Sequence, residues 1–471
     1  MKKSIKFILV SFWTFLSISC SEDFLEIDPE QNVAAENAVV DLSTLQTAVN
    51  GVYSNLQSNG YYGRNVYVMP ELMADNLYLS LRNTGRYLDF NNFVVSEEDS
   101  YVESTWNSIY EVAVNATRVI EGGENLLEQF PGQEAQIKQL LGEAYALRSL
   151  AHFDLVRLFA QPYNFTAGAS HPGIPLIIEI NENEVSPSRN SVNEVYQHIN
   201  SDLSTAVSFM TEANQDGRFS LNAAYALAAR VALYEEENEK AITYSTNVIE
   251  SNVFSLIPNE RYMELWSLDF NEETLMEVIN TIADNAGTNG LGHFFDVTGY
   301  ADALVTEDLV ATYDENDVRL QAILEGSKPG AEEEAYFVNK FPNGTLHDDN
   351  IKILRLAEQY LIRAEAYAKT GQNELAQQDL QVVMSRANPG AEEIAEVGNE
   401  LIDRILLERR KELAFEGHRL FDLNRNKKGV SIDQGEGNVI EASYPNEKFI
   451  LPIPLSELNA NPQIGPQNPG F

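Results

Sequence analysis

The chain is poor in cationic residues and almost devoid of cysteine. Its 471 residues include 71 Asp and Glu but only 32 Lys and Arg, which gives a formal net charge of −39. Binding to a nucleic-acid backbone needs clustered Lys and Arg, so we expect no nucleic-acid partner. The only cysteine, Cys20, has no second thiol with which to form an internal disulfide. Beyond the N-terminus, no stretch of sequence approaches the roughly 20 apolar residues of a transmembrane helix, so we expect a mature chain that does not span a membrane.

Sequence motifs for catalysis are equally scarce. The six His residues stand apart, without the paired spacing of a metal-ligating helix. The sequence contains no nucleophile elbow, Walker loop or dinucleotide-binding fingerprint. Acidic pairs are abundant because acids are abundant, so a glycosidase pair of carboxylates stays open without positive support. The motifs therefore give no positive reason to assert an active site, and we expect no cofactor and no metal.

One acidic stretch, YDENDVR at residues 313–319, invites comparison with a cation site. Its Asp314, Asn316 and Asp317 do not follow the ligand spacing of an EF-hand loop. We expect these side chains to cap a helix instead. A structural calcium ion remains an alternative that no motif supports.

The N-terminus is typical of an exported protein. Three lysines lie within residues 1–6, residues 7–16 form an apolar run too short to span a bilayer, and small residues precede Cys20. We assign residues 1–19 to a secretory signal peptide. The position of Cys20 resembles that of a bacterial lipobox cysteine, so we expect it to carry the lipid anchor of the mature chain. An ordinary signal peptide with a chance cysteine is the alternative. The following residues 21–23 resemble the surface-export signal of some bacterial lipoproteins.

Apolar residues recur at helical spacing through most of the chain. Asp41 or Ser43 can cap a first helix, and a long amphipathic helix is predicted over residues 135–159. Ser191 and Glu194 have the spacing of a capping box at the start of another helix. The sequence therefore predicts a mostly α-helical fold.

In two long stretches the apolar residues follow no sustained helical or strand period. Tyr61–Asp99 is rich in Tyr, Asn and Arg, and Phe254–Asn350 mixes aromatic residues with glycines. Long connections of this kind are usually either functional or disordered, and the many aromatic residues argue against disorder. We expect two ordered excursions from the helical fold, made of loops and short strands.

Two stretches share one spacing of aromatic and small residues. Tyr225 and Tyr360 are each followed by Ala four residues later and by another Ala twelve residues further on. In each copy a short polar break separates two helical patterns. This resembles the tetratricopeptide repeat, an antiparallel helix pair of about 34 residues. Ordinary helical hairpins that use alanine are the alternative.

The segment Glu408–Arg425 combines charged and apolar residues in an unusual order. Glu408, Glu412 and Glu416 are spaced by four, which places them along one helical face with basic residues between them. Gly417 suits a helix C-terminus, where a left-handed conformation costs glycine little. We expect a structural ion-pair network that braces the C-terminal part of the fold. A carboxylate site for chemistry is the alternative.

Four stretches together carry a family resemblance. They are CSEDFLEIDP at residues 20–29, EAYALRSLAHFDLVRLFAQPY at residues 143–163, LAEQYLIRAEAYAKTGQ at residues 356–372, and ERRKELAFEGHRLFDLNR at residues 408–425, joined by the closing KFILPIPLSELNANPQIGPQNPGF. In these stretches the chain resembles the SusD/RagB family of outer-membrane nutrient-binding lipoproteins. The stretches span the mature chain from end to end.

The resemblance implies a helical scaffold with tetratricopeptide-like pairs, irregular loop-rich excursions and a few short strands. It also implies a single domain over residues 20–471. Within that domain we expect an N-terminal helical part over residues 20–250, a loop-rich ligand-binding excursion over residues 254–350, and a C-terminal helical part with a closing tail over residues 351–471.

The resemblance further implies a lipid-anchored protein on the extracellular side of the outer membrane. Such proteins form a lid over a SusC-like TonB-dependent transporter, capture oligosaccharides or sometimes other nutrients, and deliver them to the transporter without catalysing a reaction. Two other functions stay open from the residues themselves: a secreted glycan-degrading enzyme, and a helical-repeat scaffold that binds only protein.

The aromatic and polar residues of the two excursions suit a sugar ligand. Sugar hydroxyls pair with Asn, Asp and Arg side chains, and the apolar faces of sugar rings stack on aromatic rings. For Trp266, a role in the core and a role in binding are equally open. The residues that we predict to contact ligand are Asp75, Asn76, Tyr78, Arg82, Asn83, Tyr87, Trp266, Phe294 and Tyr300.

Overall fold

Helices dominate the residues that the structure describes. The computed structural model describes residues 39–180, 186–211, 216–435 and 437–471. Its α-helices are α1 (Leu42–Asn55), α2 (Asn65–Leu72), α3 (Ser100–Gln129), α4 (Glu134–Phe159), α5 (Val192–Phe209), α6 (Leu221–Tyr234), α7 (Asn238–Glu250), α8 (Glu264–Ser267), α9 (Leu291–Phe295), α10 (Glu307–Val310), α11 (Leu356–Lys369), α12 (Asn373–Ala387), α13 (Gly398–Glu412), α14 (Arg419–Arg425) and α15 (Leu455–Ala460). The predicted mostly α-helical fold is confirmed.

The strands are short and pair only in twos within the described residues. They are β1 (Leu77–Leu79), β2 (Thr274–Val278), β3 (Ala303–Val305), β4 (Ile323–Gly326), β5 (Ala335–Val338), β6 (Ile351–Arg355), β7 (Val430–Asp433) and β8 (Val439–Ala442). Four antiparallel ladders join β1 to β3, β2 to β6, β4 to β5, and β7 to β8. Six of the eight strands lie in the two predicted excursions or at their ends, as the irregular sequence there indicates.

Side-chain caps fix where two predicted helices begin. Asp41, and not Ser43, caps α1, because its Oδ1 accepts from the backbone N–H of Thr44 at 2.8 Å. The predicted capping box at α5 is present: Glu194 accepts from the N–H of Ser191 at 2.8 Å, and the Ser191 hydroxyl accepts from the N–H of Glu194 at 3.3 Å. Each cap satisfies donors that a helix start leaves without an intrahelical partner.

The repeated alanine spacing corresponds to two packed helix pairs. α6 packs against α7, α11 packs against α12, and α7 also packs against α11, so the two pairs are neighbours in space although they are distant in sequence. The alanines of the pattern, Ala229, Ala241, Ala364 and Ala376, are fully buried. Small side chains at these points let the helix axes approach closely, which confirms the predicted tetratricopeptide-like pairs.

Helix α2 departs from the sequence prediction, because we expected no helix in the excursion Tyr61–Asp99. All eight of its residues are buried. A helix that is buried on every side has no polar face, so its sequence lacks the alternation that reveals an amphipathic helix. Pro70 within the helix weakens the sequence signal further.

One continuous hydrophobic core links the first helix to the closing tail. It extends from Leu45 of α1 to Ile464, which follows α15. A smaller separate cluster lies between α11, α12 and α13. The division of the chain into the predicted single domain stays a prediction.

The segment Glu408–Arg425 is a helix, a turn and a second helix. α13 ends at Glu412, and α14 starts at Arg419. The predicted continuous helix through Glu416 is therefore wrong, because Phe415 and Gly417 adopt positive φ angles of 68° and 75° that end the helical path.

The predicted ion-pair network in this segment is confirmed. Arg319 contacts Glu408 at 2.6 Å and Glu412 at 3.2 Å, and Arg355 contacts Glu412 at 3.1 Å and Glu416 at 2.8 Å. All five side chains are buried. Carboxylates that are buried and paired in this way are poorly placed to meet a substrate, so the geometry favours bracing over chemistry.

Candidate functional site

The two excursions meet at a short antiparallel ladder. β1 of the first excursion pairs with β3 of the second, and Tyr78 lies opposite Leu304. At one end the N–H of Thr306 donates to the carbonyl of Asn76 at 3.0 Å, and at the other end the N–H of Ser80 donates to the carbonyl of Asp302 at 2.9 Å. The ladder therefore fixes the loop that follows β1 against the loop that precedes β3.

Asp302 organises the loop that follows β1. Its side chain is fully buried. Its Oδ1 accepts from the N–H of Thr84 at 2.8 Å, and its Oδ2 accepts from the Thr84 hydroxyl. The same carboxylate lies 3.7 Å from Nη1 of Arg86. Because a buried carboxylate needs such partners, Asp302 serves to position Arg86 at the surface.

Glu332 holds the same loop from the other side. Its Oε1 accepts from the N–H of Leu81 at 2.7 Å, and its Oε2 accepts from the Ser80 hydroxyl at 3.0 Å. The exposed Arg82 also reaches across, since its Nη1 donates to the carbonyl of Pro329 at 2.9 Å. These contacts give a loop without a helix or a long strand a defined position.

Tyr300 and Arg86 are stacked at the centre of this region. The guanidinium carbon of Arg86 lies 4.1 Å from the centre of the Tyr300 ring, within cation–π range. The His293 ring meets the Tyr300 ring edge-on, with centres 4.5 Å apart. Hydrogen bonds from Thr288 and then from Arg86 to the Tyr300 hydroxyl lower the pKa of this phenol. The result is a set of planar N–H donors held beside an aromatic ring.

A second pair of stacked aromatic rings lies beside Arg64. The rings of Tyr87 and Tyr101 are stacked with centres 4.2 Å apart, and the guanidinium of Arg64 lies 5.5 Å and 5.6 Å from them. Arg64 donates from Nε to the Tyr87 hydroxyl at 2.6 Å and from Nη1 to the carbonyl of Asn289 at 2.9 Å. Tyr101 is only partly buried, and the sequence did not reveal it because it resembles an ordinary first-turn residue of α3.

Lys328 joins the same surface from the connection between β4 and β5. Its Nζ donates to the carbonyl of Ala301 at 2.6 Å and to that of Tyr300 at 3.2 Å. Burial lowers the pKa of this ammonium. The sequence did not point to Lys328, because no local pattern relates a turn residue to Tyr300, which lies 28 positions earlier.

Tyr78 forms the apolar margin of this region. Its ring packs with Leu304, Ala335 and Phe337. Burial, followed by the nearby charge of Glu332, raises the pKa of Tyr78 to about 12. Its hydroxyl is therefore a neutral hydrogen-bonding group near pH 7. We use the name loop surface for the region formed by Tyr78, Arg82, Asn83, Arg86, Tyr300 and Lys328.

A recess adjoins the loop surface beside His293. The rings of His293 and His347 lie 5.1 Å apart, and both line a small recess together with Asp349. Burial raises the pKa of Asp349 to about 7. The recess thus places His293 between Tyr300 on one side and the polar side chains of His347 and Asp349 on the other.

The structure brings together four of the nine predicted ligand residues. Tyr78, Arg82, Asn83 and Tyr300 all lie on the loop surface, and Asn83 reaches back to donate from Nδ2 to the carbonyl of Ser80 at 2.7 Å. All four keep some solvent exposure. Their contact with a ligand stays a prediction.

Asp75 and Asn76 lie elsewhere and connect the first excursion to the C-terminal segment. Arg419 donates from Nε and Nη2 to the two carboxylate oxygens of Asp75, at 2.6 Å and 2.8 Å. Asn76 is fully buried, donates to Glu71 at 2.7 Å and accepts from Arg410 at 3.0 Å. Both side chains are committed to these partners, which is not compatible with the predicted ligand contact in this conformation.

The predicted stacking roles of Tyr87, Phe294 and Trp266 do not fit their positions either. Their exposed fractions are 1%, 0% and 3%, so none presents a ring face to an external ligand. Trp266 packs instead beneath the ion-pair network, with its ring centre 4.3 Å from Nζ of Lys340 and 5.2 Å from the guanidinium of Arg355. Of the two roles left open for Trp266, its position favours the core.

Four further predictions concern ions and membranes. The predicted helix cap is confirmed for Asp317, which accepts from the N–H of Arg319 at 3.1 Å at the start of a 3₁₀ turn. Within the described residues, no three His, Asp or Glu side chains converge as metal ligands would. None of the helices in the described part of the chain combines the length and the hydropathy needed to cross a bilayer. The predicted lipid attachment at Cys20 lies outside the described residues.

Comparisons with known proteins point to one family from both ends of the chain. The profile described as the SusD family matches residues 325–471, and the profile described as "Starch-binding associating with outer membrane" matches residues 23–233. SusD-like protein P38 of Formosa agariphila is 28% identical over 98% of this chain and 99% of its own length.

Solved structures agree with these matches. A SusD superfamily protein from Bacteroides vulgatus is similar to this chain with a TM-score of 0.82 and 30% identity, over 91% of this chain and 99% of the other. A SusD superfamily protein from Bacteroides thetaiotaomicron gives a TM-score of 0.82 and 30% identity, over 91% of this chain and 100% of the other. The structural likeness therefore covers about nine-tenths of this chain.

Proposed function

The chain belongs to the SusD family, and on that premise we propose that it is a cell-surface lipoprotein that binds oligosaccharides or other nutrients and delivers them to a SusC-like TonB-dependent transporter of the outer membrane. The family description "Starch-binding associating with outer membrane" supports both a carbohydrate ligand and the membrane location. In this proposal a lipid on Cys20 anchors the chain with the loop surface facing outward.

The observation that carries the proposed ligand class is the stacked pair of Arg86 and Tyr300. A guanidinium 4.1 Å from an aromatic ring presents fixed N–H donors beside an apolar surface. Sugars need this combination, because their hydroxyls require directed hydrogen bonds and their C–H faces prefer aromatic or aliphatic contact. Asn83 and Tyr78 add an amide and a phenol to the same surface.

The hydrogen bonds of the carboxylates near the loop surface support a role in binding and not in catalysis. Asp302 and Glu332 are both held by hydrogen bonds from the loop that follows β1. A glycosidase needs one carboxyl group as an acid and another as a base or nucleophile, both free to reach the scissile bond. Carboxylates that are occupied with backbone and hydroxyl donors do not suit those roles, so we infer that the protein is not an enzyme.

The ligand proposal is tested by a glycan array followed by calorimetry with the folded mature protein. We expect at least one oligosaccharide to bind, and Tyr300→Ala to weaken its binding by about tenfold or more. Phe165→Ala is the matched control, since Phe165 is an aromatic residue with 41% exposure outside the loop surface. Equal losses in the two variants would contradict the proposed site.

The two alternative functions give different results in the same experiments. New reducing ends on incubation with a polysaccharide panel would establish a glycan-degrading enzyme. A protein that binds no glycan or other small nutrient but retains a specific protein partner would be a scaffold. The transporter proposal is tested separately: we expect a gene for a SusC-like transporter beside the gene for this chain, and co-purification of the two products from outer membranes.

A further inference from the structure

We infer that the loop surface selects oligosaccharides that carry an anionic group, either a carboxylate or a sulfate ester, and that Arg82, Arg86 and Lys328 receive that group. The inference rests on the proposed function, since it names the class of sugar that the proposed site takes. It is carried by the convergence of three cationic side chains on one surface of a strongly acidic protein.

Cationic side chains are scarce in this chain, and many of them are buried in the protein interior. The sequence has 32 Lys and Arg against 71 Asp and Glu. In the described residues twelve of the Lys and Arg side chains are buried, most of them in ion pairs with carboxylates. The loop surface gathers three of the cationic side chains that are not buried, Arg82, Arg86 and Lys328.

Direct contacts link the three cations through Tyr300 and the β4–β5 connection. Arg86 lies on the ring of Tyr300 at 4.1 Å, and Nζ of Lys328 donates to the carbonyl of Tyr300 at 3.2 Å. Arg82 donates to the carbonyl of Pro329, the residue next to Lys328. The three cations are therefore linked through Tyr300 and the β4–β5 connection, although they come from two loops that are far apart in sequence.

The acids near these cations are already occupied. Both oxygens of Asp302 accept from Thr84, and the two oxygens of Glu332 accept from Leu81 and Ser80. Glu307 and Asp433 lie toward Tyr78, where their charges act on its phenol. The carboxylates thus neutralise part of the local charge. Oδ2 of Asp302 lies 3.7 Å from Nη1 of Arg86, which is beyond hydrogen-bond distance, and Arg82 forms no ion pair among the described residues.

Both guanidiniums keep donors for a ligand. Nη1 of Arg82 donates to Pro329, while Arg86 donates from Nη1 to Thr84 and also hydrogen-bonds to the Tyr300 hydroxyl. A guanidinium has five N–H groups in a planar fork that matches the oxygens of a carboxylate or a sulfate. Hydrogen bonds between ionised partners are about twice as strong as those between neutral groups, so an anionic sugar gains more from this surface than its neutral counterpart.

The net negative charge of the protein does not outweigh these contacts. At physiological ionic strength the screening length is about 8 Å, so acids on distant surfaces contribute little to binding at the loop surface. The contacts with Arg82, Arg86 and Lys328 act at hydrogen-bond distance and are screened far less. The distant acids affect mainly the rate at which an anionic ligand approaches.

Matched pairs of oligosaccharides test the inference on the full mature protein. One pair is oligogalacturonate and its methyl ester, and the other is a sulfated galactan oligosaccharide and the same oligosaccharide after desulfation. Neutral malto- and cello-oligosaccharides complete the panel. In calorimetry at 0.15 M salt we expect the charged member of at least one pair to bind about tenfold more tightly than its neutral partner. The pair that responds distinguishes a carboxylate from a sulfate.

Variants assign the preference to the loop surface. We expect Arg86→Gln and Arg82→Gln each to reduce the preference for the charged member, while Arg86→Lys retains part of it because the charge remains. Arg118→Gln is the matched control, since Arg118 is an exposed arginine on α3 that donates to Asn115 of the same helix. Arg82 is itself exposed, so its variant keeps the test valid if Arg86→Gln lowers thermal stability.

The outcomes separate this inference from the function on which it rests. Equal binding of both members of each pair, or binding of neutral oligosaccharides alone, would overturn the inference and leave the proposed function in place. The inference would also be overturned, with the proposed function left in place, if Arg118→Gln reduced the preference as much as Arg86→Gln and Arg82→Gln. A folded protein that binds no member of the panel would overturn the inference and count against a carbohydrate ligand as well.

Discussion

Arg355 and Glu416 form a buried bidentate ion pair. Nε and Nη2 of Arg355 each donate to one carboxylate oxygen of Glu416, and both distances are 2.8 Å. The same guanidinium donates from Nη1 to Glu273 at 2.9 Å and to Glu412 at 3.1 Å. Because Arg355 ends β6 and Glu416 lies between α13 and α14, this arginine joins the second excursion to the C-terminal segment.

Removing Glu412 is expected to destabilise the fold strongly. Its fully buried carboxylate accepts from Arg319, Arg355 and Arg386, the last at 2.6 Å. Glu412→Ala leaves three guanidiniums without this partner in the interior, and losing one member of a buried network costs about 3–5 kcal/mol. Urea denaturation of the purified variant measures the change in the free energy of unfolding.

The control for this prediction lies on the same helix. Asp403 pairs with Lys428 at 2.7 Å, but the two side chains are 63% and 44% exposed, so we expect Asp403→Ala to change stability by less than about 1 kcal/mol. Arg419→Ala should destabilise the fold like Glu412→Ala, since it removes the bidentate partner of Asp75. A changed ligand selectivity in either variant, while it remains folded, would contradict a purely structural role.

Gly417 is expected to tolerate no side chain, for a reason beyond its positive φ angle. A Cβ at this position would lie 2.4 Å from the carbonyl oxygen of Val66, whereas a Cβ at Gly371, where φ is +79°, would meet nothing within 4 Å. Gly371→Ala should therefore cost about 1 kcal/mol from the backbone conformation alone. Gly417→Ala should cost about 2–4 kcal/mol, because α2 must also shift. Equal losses of unfolding free energy would show that the contact with Val66 does not matter.

Trp266→Ala is expected to lower stability without affecting ligand affinity. The side chain is buried below Lys340 and Arg355, and truncation of a buried tryptophan costs about 3–5 kcal/mol. Tyr300→Ala should give the opposite result, with weaker binding and little change in thermal stability. If Trp266→Ala does not fold, Trp266→Phe provides the same comparison. If a Trp266→Phe variant of normal stability bound ligand more weakly, Trp266 would have a role in ligand binding after all.

Local sequence signals predicted the helical scaffold well. Asp41, Ser191 and Glu194 form caps at the predicted places, because capping depends on residues only a few positions apart. The alanine spacing after Tyr225 and Tyr360 predicted the packed pairs for a similar reason. Helix α2 was not predicted, because a helix that is buried on all sides has no amphipathic period.

The candidate site could be predicted only in part. Composition correctly indicated ordered aromatic excursions, and Tyr78, Arg82, Asn83 and Tyr300 do lie together at the surface. Composition could not separate them from Phe294 and the other aromatic residues that fill the core, because the same residue types serve both purposes. The position of Lys328 next to Tyr300 depends on the packing of β3 against β5 of the β4–β5 hairpin, which no local pattern encodes.

Asp349 is expected to make the stability of the fold depend on pH near neutrality. It is only 8% exposed, and its two carboxylate oxygens accept from the N–H of Asn343 at 3.0 Å and 3.2 Å. Burial raises the pKa of Asp349 from an ordinary 3.8 to about 7. Between these two values the folded chain holds a proton that the unfolded chain has released, so this residue lowers the free energy of unfolding as the pH rises through that interval.

Asp349→Asn removes this titration while keeping an acceptor for Asn343. We therefore expect the variant to exceed the parent protein in unfolding free energy by about 1–3 kcal/mol at pH 8, and the advantage to shrink as the pH falls toward 4. Asp403→Asn, at the exposed position of α13, should show no comparable pH-dependent gain. Urea denaturation at a series of pH values measures the difference. Parallel profiles for Asp349→Asn and the parent protein would mean that Asp349 titrates alike in the folded and unfolded chains, and that the recess beside His293 is better solvated than its geometry implies.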